Sequence, residues 1–146
     1  MIRQATIKDF DAVEAMLHDF HKAKAGEFSA DLYDKLHFRN LFRALIGNPS
    51  KGFVAILEAD GEPVGCLIAG AGQSPFAPIV TTEEIIWWVS PDHRGAESLK
   101  MLNVYEAWAV GIGAKIAGLS FFGKRAPAEY KKRGFFPVEQ KFAKVL

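Results

Sequence analysis

Five apolar residues in unbroken succession, Ile85-Ile86-Trp87-Trp88-Val89, close a stretch that begins at Val80 and is stopped by Pro91. Such a run of β-branched and aromatic residues reads as a strand with both faces covered. A strand of that kind needs a layer above it and a layer below it. The residues after it narrow the choice. Ser90-Pro91-Asp92-His93-Arg94-Gly95 has turn chemistry, and from Ser98 onward Met101, Leu102, Tyr105, Trp108, Ala109 and Ile112 recur at helical spacing until Gly113. A buried strand thus turns through a short loop into a long helix. The first helical amides have no intrahelical acceptor, and the positive end of the helix dipole lies behind them, which makes a site for phosphate. Arg94 adds a permanent fork of donors, and Gly95 lets the backbone turn and approach a ligand. From these residues alone, a plain connection with a surface arginine is an equal reading.

The rest of the chain supplies the layers. Ile2–Ala5 reads as a first strand, and Thr6-x-x-Asp9 as a relative of the capping box that opens a helix carrying Phe10, Val13, Met16, Leu17 and Phe20. Periodicity lapses at Ala23–Ser29. A second helical pattern, Leu32, Leu36, Phe38, Leu41, Phe42 and Leu45, ends at Gly47-Asn48-Pro49. Phe53–Leu57 and Pro63–Gly70 form a hairpin about Asp60-Gly61. A loop at Gly70–Pro78 leads into the covered strand. After the long helix, Lys115–Phe121 makes a short strand, Pro127–Lys132 a short helix before Gly134, and a final strand runs through the C-terminus. The order β-α-α-β-β-β-α-β-α-β mixes hairpins with β-α-β units, so it predicts a mixed α/β sheet with helices on both faces.

Composition excludes several function classes. The 146 residues suit a single domain, 1–146. A formal net charge of +1 offers no bulk attraction to nucleic acid or to a membrane surface. The one cysteine, Cys66, allows no internal disulfide framework, and no apolar stretch approaches the roughly 20 residues of a membrane helix. The opening MIRQATIKDF has no apolar signal region behind its basic residue. A cytoplasmic protein that uses no metal is expected. His18 and His21, three apart, read as a solvated pair, and His93 as a turn residue.

Trp-Val-Ser-Pro-Asp-His-Arg-Gly (88–95), a long helix containing Glu106–Ala109, and Tyr-Lys-Lys-Arg-Gly-Phe-Phe-Pro (130–137) resemble the GNAT superfamily of N-acetyltransferases. The similarity spans the chain and is most specific between Glu83 and Pro137; short members from tailed phages are similar in flavour. The resemblance implies a mixed, mostly antiparallel sheet of about six or seven strands that splays open. It implies acetyl-CoA as acyl donor, an amine on a small molecule or a protein as acceptor, and allows a homodimer. Trp88 and Val89 would line the pantetheine arm, with backbone groups near Val89 pairing it as an added strand. The amides of Arg94, Gly95, Ala96, Glu97, Ser98 and Leu99 would hold the pyrophosphate. Two positions that are small in the family are Glu97 and Leu99 here, and a one-residue shift would instead bring Ala96 and Ser98 to the ligand.

For the chemistry, the resemblance makes Tyr130, four residues before Gly134, the donor of a proton to the departing thiolate, and it also touches the cofactor. Glu83 and Glu84 are both candidate bases; on a strand they face opposite ways, so at most one lines the cleft directly. Glu83 matches a family base by its distance from Val89, and Glu84 begins Glu-x-x-Trp-Trp-Val. Where many members carry an asparagine that contacts CoA, this chain has Gly123, followed by Lys124 and Arg125. Trp87 and Trp88 point to opposite faces, one into the core and one toward the acceptor pocket. Two alternatives stay open: a GNAT fold kept as a binding or structural module, for which Glu97 and Leu99 speak, and transfer of another acyl group.

Overall fold

The computed structural model describes residues 1–23, 30–121 and 125–146. Strands β1 (Ile2–Gln4), β2 (Gly52–Ala59), β3 (Glu62–Gln73), β4 (Val80–Val89) and β5 (Ile116–Gly118) form one sheet in sequence order. The first four are antiparallel, and β5 joins β4 in parallel. Helices α1 (Phe10–Ala23) and α2 (Lys35–Gly47) cover one face, while α3 (Ala96–Gly111) covers the other; α4 (Ala128–Lys132) follows β5. The β2–β3 hairpin turns at Asp60 and Gly61, both at positive φ (52° and 82°), as a two-residue turn matched to strand twist requires.

Two cores result. Phe10, Val13, Met16, Phe42 and Leu45 pack on Val54, Ile56, Cys66, Ile68, Ile86 and Trp88. On the opposite face Met101, Leu102 and Tyr105 pack on Phe53, Ala55, Leu57, Leu67, Ala69 and Val89. Covering both faces accounts for the unbroken apolar runs of β2, β3 and β4. The Cys66 thiol is fully buried, and burial pushes its pKa up to about 12, so it serves as a small apolar residue.

Several boundaries differ from expectation. The sheet has five strands rather than six or seven, because residues 133–146 form no strand. Phe136, Val138, Phe142, Val145 and Leu146 are exposed there, so the apolar residues that suggest a final strand have no covering layer. The second helix begins at Lys35, capped by Asp34, whose carboxylate accepts the His37 N–H at 2.7 Å; Leu32 lies in a preceding 3-10 turn. Leu32, Leu36 and Leu41 are exposed, and Phe42 and Leu45 carry the packing. Asp9 accepts from the Thr6 N–H (2.7 Å) and hydroxyl (3.2 Å), so the carboxylate, rather than the threonine oxygen, does the capping. The irregular stretch at 24–29 lies outside the described residues, as do Gly123 and Lys124.

Asp9 also receives two bonds from Arg3, at 2.7 and 2.9 Å, and Arg3 bonds Glu58 at 2.7 Å. This network fastens β1 to β2 and to the start of α1. The Arg3 hydrogen bonds hold the Asp9 carboxyl down at about 2, against 3.8 ordinarily. Because the folded-state value is the lower one, the stabilisation is present above about pH 4 and disappears as pH falls through 2. It amounts to on the order of 2 kcal/mol. In urea melts across this range, Asp9→Asn should be less stable than wild type at neutral pH and should lack that part of the acid-induced loss.

Candidate active site

The site is built where β4 leaves β5. The parallel ladder runs Thr81↔Ile116, Thr82↔Ala117, Glu83↔Gly118 and then stops, although β4 continues to Val89. On its other edge β4 stays paired with β3, but the register slips between Ile68↔Ile86 and Ala69↔Glu84. Ile85 is the extra residue, a β-bulge. Without it Glu84 and Trp87, three apart, would face opposite ways. With it Thr82, Glu84, Trp87 and Val89 share the α3 face, and Glu83, Ile86 and Trp88 share the other.

Glu84 closes the start of the gap with its side chain. Its Oε2 accepts the Ser120 N–H at 2.9 Å and the Ser120 Oγ–H at 2.5 Å. The Trp87 backbone N–H also bonds this carboxylate. Burial lifts the Glu84 carboxyl above the usual glutamate range, the neighbouring Glu83 charge adds to the rise, and the Ser120 bonds oppose it. The Tyr130 hydroxyl donates to the Ser120 carbonyl at 3.2 Å. Burial, with a contribution from Glu84, pushes the Tyr130 phenol up to about 12. Its ring stacks on Trp87 (6.5 Å between centroids, 18° between planes) and meets Phe121 and Phe135.

The structure therefore brings Glu84, Tyr130 and Trp87 together and sets Glu83 apart. Glu83 is exposed on the face of α1 and α2, with its carboxylate over Gly118, where an added Cβ would collide with it. Of the two tryptophans, Trp88 is the core residue and Trp87 the one at the gap, where its buried indole N–H has no hydrogen-bond partner among the described residues.

The loop after β4 is a 3-10 turn (Pro91–His93), and Gly95 then takes φ 147°, ψ −151°. Gly95 N–H donates to Ser98 Oγ (3.0 Å), Ser98 Oγ–H returns to the Gly95 carbonyl (2.8 Å), and Leu99 N–H donates to the same carbonyl (3.1 Å). This seats Ser98 as an internal cap and leaves Ala96, Glu97 and Ser98 as the first-turn amides. The Glu97 side chain is turned to solvent and paired with Lys100, and Leu99 packs against the α3-side core.

Arg94 is not extended as a phosphate donor. The 3-10 turn carries it back over the sheet, where its guanidinium lies 4.8 Å above the Trp88 ring and its Nε donates to the Val89 carbonyl at 2.8 Å. Ser90 N–H bonds Val64 on β3, so Val89, one residue earlier, directs its backbone groups toward the gap. The carbonyl expected to meet the pantetheine arm is thus occupied by Arg94.

Two contributors escape sequence reasoning. Ser120 has no motif and meets Glu84 through a contact 36 residues apart. Arg133 joins Glu129 (2.9 Å), Asn103 (2.5 Å), Glu106 (3.1 Å) and the Leu99 carbonyl (3.3 Å), bracing α4, and with it Tyr130, against α3. The Glu129-to-Arg133 spacing was a visible helical pair, but its partners on α3 were not. His18 packs edge-on to Tyr33 at 5.0 Å, and no group of three or more His, Cys, Asp or Glu among the described residues is placed to hold a metal ion.

Glucosamine-6-phosphate N-acetyltransferase from Arabidopsis thaliana superposes with a TM-score of 0.77 at 13% identity, covering 99% of this chain and 97% of that one. A GNAT family acetyltransferase from Staphylococcus aureus gives 0.65 at 11% identity (100% and 98%). This chain has the GNAT fold. A transcriptional regulator from Bacillus halodurans C-125 shares the architecture as well, with a TM-score of 0.78 at 16% identity and 100% and 99% coverage. No protein-family model and no curated protein matches the sequence. At these identities the GNAT likeness speaks for the fold, and the chemistry rests on the residues.

The Gly95 backbone belongs to a region essentially reserved for glycine. No neighbouring atom lies within 4 Å of a Cβ placed there, so strain alone would set the cost of a side chain. Gly95→Ala should lose about 1–3 kcal/mol in urea denaturation. Gly111→Ala, in equally open space at the end of α3, should be neutral or gain up to about 1 kcal/mol.

Proposed function

We propose that this protein is a single-domain, acetyl-CoA-dependent N-acetyltransferase that passes the acetyl group directly to an amine. The observation that carries this reading is the meeting of Glu84 and Tyr130, through Ser120, at the point where β4 and β5 part. One strand beside that gap leads straight into the first-turn amides of α3, the phosphate-binding arrangement expected from the sequence. Trp87 fits as well, since a buried indole N–H with no acceptor among the described residues is one that a ligand could satisfy.

In this reading Glu84, with its raised pKa, accepts a proton from the attacking ammonium directly or through a water, and so frees the nitrogen lone pair. The C–N bond forms as the C–S bond breaks. Tyr130, at about 12, lies well above an ordinary thiol near 8.5, so it stabilises the departing thiolate chiefly by donating a hydrogen bond. Ala96, Glu97 and Ser98 hold pyrophosphate oxygens through their amides. Arg94 exchanges the Val89 carbonyl for a phosphate, which frees that carbonyl for the pantetheine arm.

A second reading is a GNAT scaffold used for binding without catalysis. It is favoured by the Arg94 contact that occupies Val89 and by the likeness to a protein described as a transcriptional regulator.

Calorimetric titration with acetyl-CoA separates the two. The enzyme reading expects micromolar binding that Arg94→Ala weakens by roughly tenfold or more, the worth of a charged hydrogen bond. It also expects Glu84→Gln to abolish the acid limb of the pH–rate profile with an amine acceptor. No heat at millimolar acetyl-CoA would favour the scaffold.

A further inference from the structure

Ser120 is used by nothing in the family resemblance, yet it is the residue on which both proposed reacting side chains converge. It stands two residues beyond Gly118, the last residue of the β4–β5 ladder, where the strands have begun to part. Its N–H and Oγ–H both donate to Glu84 Oε2, and its carbonyl accepts from the Tyr130 hydroxyl. Tyr130 is held from its other side by the Trp87 stack and by the Arg133 brace to α3. Glu84 is held by the bulged strand. The separation between carboxylate and phenol is thus set by one residue that bonds both.

We propose that Ser120 is a positioning residue for acyl transfer, fixing the Glu84 carboxylate and the Tyr130 phenol relative to one another across the gap. The inference rests on the reading of Glu84 as base and Tyr130 as hydrogen-bond donor. Tying a loop to a strand would need the backbone N–H alone. The hydroxyl adds a second bond to the same carboxylate oxygen, so Oε1 is the oxygen that Ser120 leaves to receive the proton. On the other side, the Tyr130 hydroxyl rests on the Ser120 carbonyl and turns from it to the sulfur as negative charge develops there. The ionisable groups around Glu84 are Glu83 beside it on β4, Cys66 on β3, Tyr105 from α3 and Tyr130 from α4. Among the described residues none is a cation, so the Ser120 N–H and hydroxyl, with the Trp87 N–H, are the supports for the charged carboxylate.

The test compares Ser120→Ala and Ser120→Thr with wild type in three measurements: the pH dependence of kcat, the titration of Glu84 followed by carboxyl carbon NMR, and the Kd for acetyl-CoA. Ser120→Ala keeps the N–H bond and loses the hydroxyl bond to the charged form. The Glu84 titration and the acid limb of kcat should both move up by roughly one pH unit. At pH values within the limb kcat should fall by up to about tenfold, while the acetyl-CoA Kd changes less than twofold. Ser120→Thr, which retains a hydroxyl, should restore the profile. A Ser120→Ala profile that superimposes on wild type while Glu84→Gln abolishes the limb overturns the role of Ser120 and leaves the base assignment standing. An NMR shift without a kinetic shift also overturns it, reducing Ser120 to a structural tie. If Glu84→Gln keeps the limb, the underlying assignment of the base has failed, and the proposal falls with it.

Discussion

Everything at the candidate site depends on one extra residue in a strand. A β-strand alternates its side chains strictly, so inserting Ile85 without a partner on β3 reverses the facing of every residue beyond it. Residues 86–89 then place Trp88 in the α1/α2 core and Trp87 and Val89 against α3. The five residues of β4 before Ile85 keep the other phase, which puts Glu84 beside Trp87 instead of behind it. A bulge also sharpens local twist. The parallel pairing with β5 ends two residues before Ile85, at Glu83↔Gly118, so the change of phase and the parting of the strands fall together.

Where the ladder is given up, side chains replace it. Glu84 reaches the Ser120 amide and hydroxyl, and one layer below, Tyr105 donates to the Gly118 carbonyl at 2.8 Å and shares a 2.9 Å hydrogen bond with Thr82. Both Thr82 and Tyr105 are fully buried, so this pair anchors the short β5 to the core from the α3 side. Arg133 does the same for α4. A three-residue strand and a five-residue helix have little stability of their own. They are held by polar contacts to larger elements, and those contacts surround the gap. The contacts that hold these small elements in place are thus also the ones that surround the proposed chemistry.

Much of this was legible along the chain. The covered strand, the loop after it and the long helix announced themselves through periodicity and Gly/Pro punctuation, because burial on two faces and helical burial leave distinct patterns. Asp60-Gly61 set the hairpin, and Gly95 marked a backbone that other residues avoid. The expected final strand failed for the converse reason. Residues such as Phe136, Val138 and Phe142 fit a strand pattern, but a strand exists only where another edge receives its hydrogen bonds, and periodicity does not name that edge.

The sequence by itself determined the layered α/β class and the strand-loop-helix, since both follow from residue type and local spacing; the short list of Tyr130, Glu83, Glu84 and Arg94 came from the resemblance to the GNAT superfamily. Tertiary structure alone put Glu84 on the face of Tyr130 and Glu83 on the other, because register is a relation between strands and a bulge shows only against a partner. It alone turned Glu97 outward and Leu99 inward, laid Arg94 on Trp88 and the Val89 carbonyl, and brought Ser120 to both Glu84 and Tyr130. Those are contacts between residues far apart in the chain, fixed by how the strands part and not by any local preference.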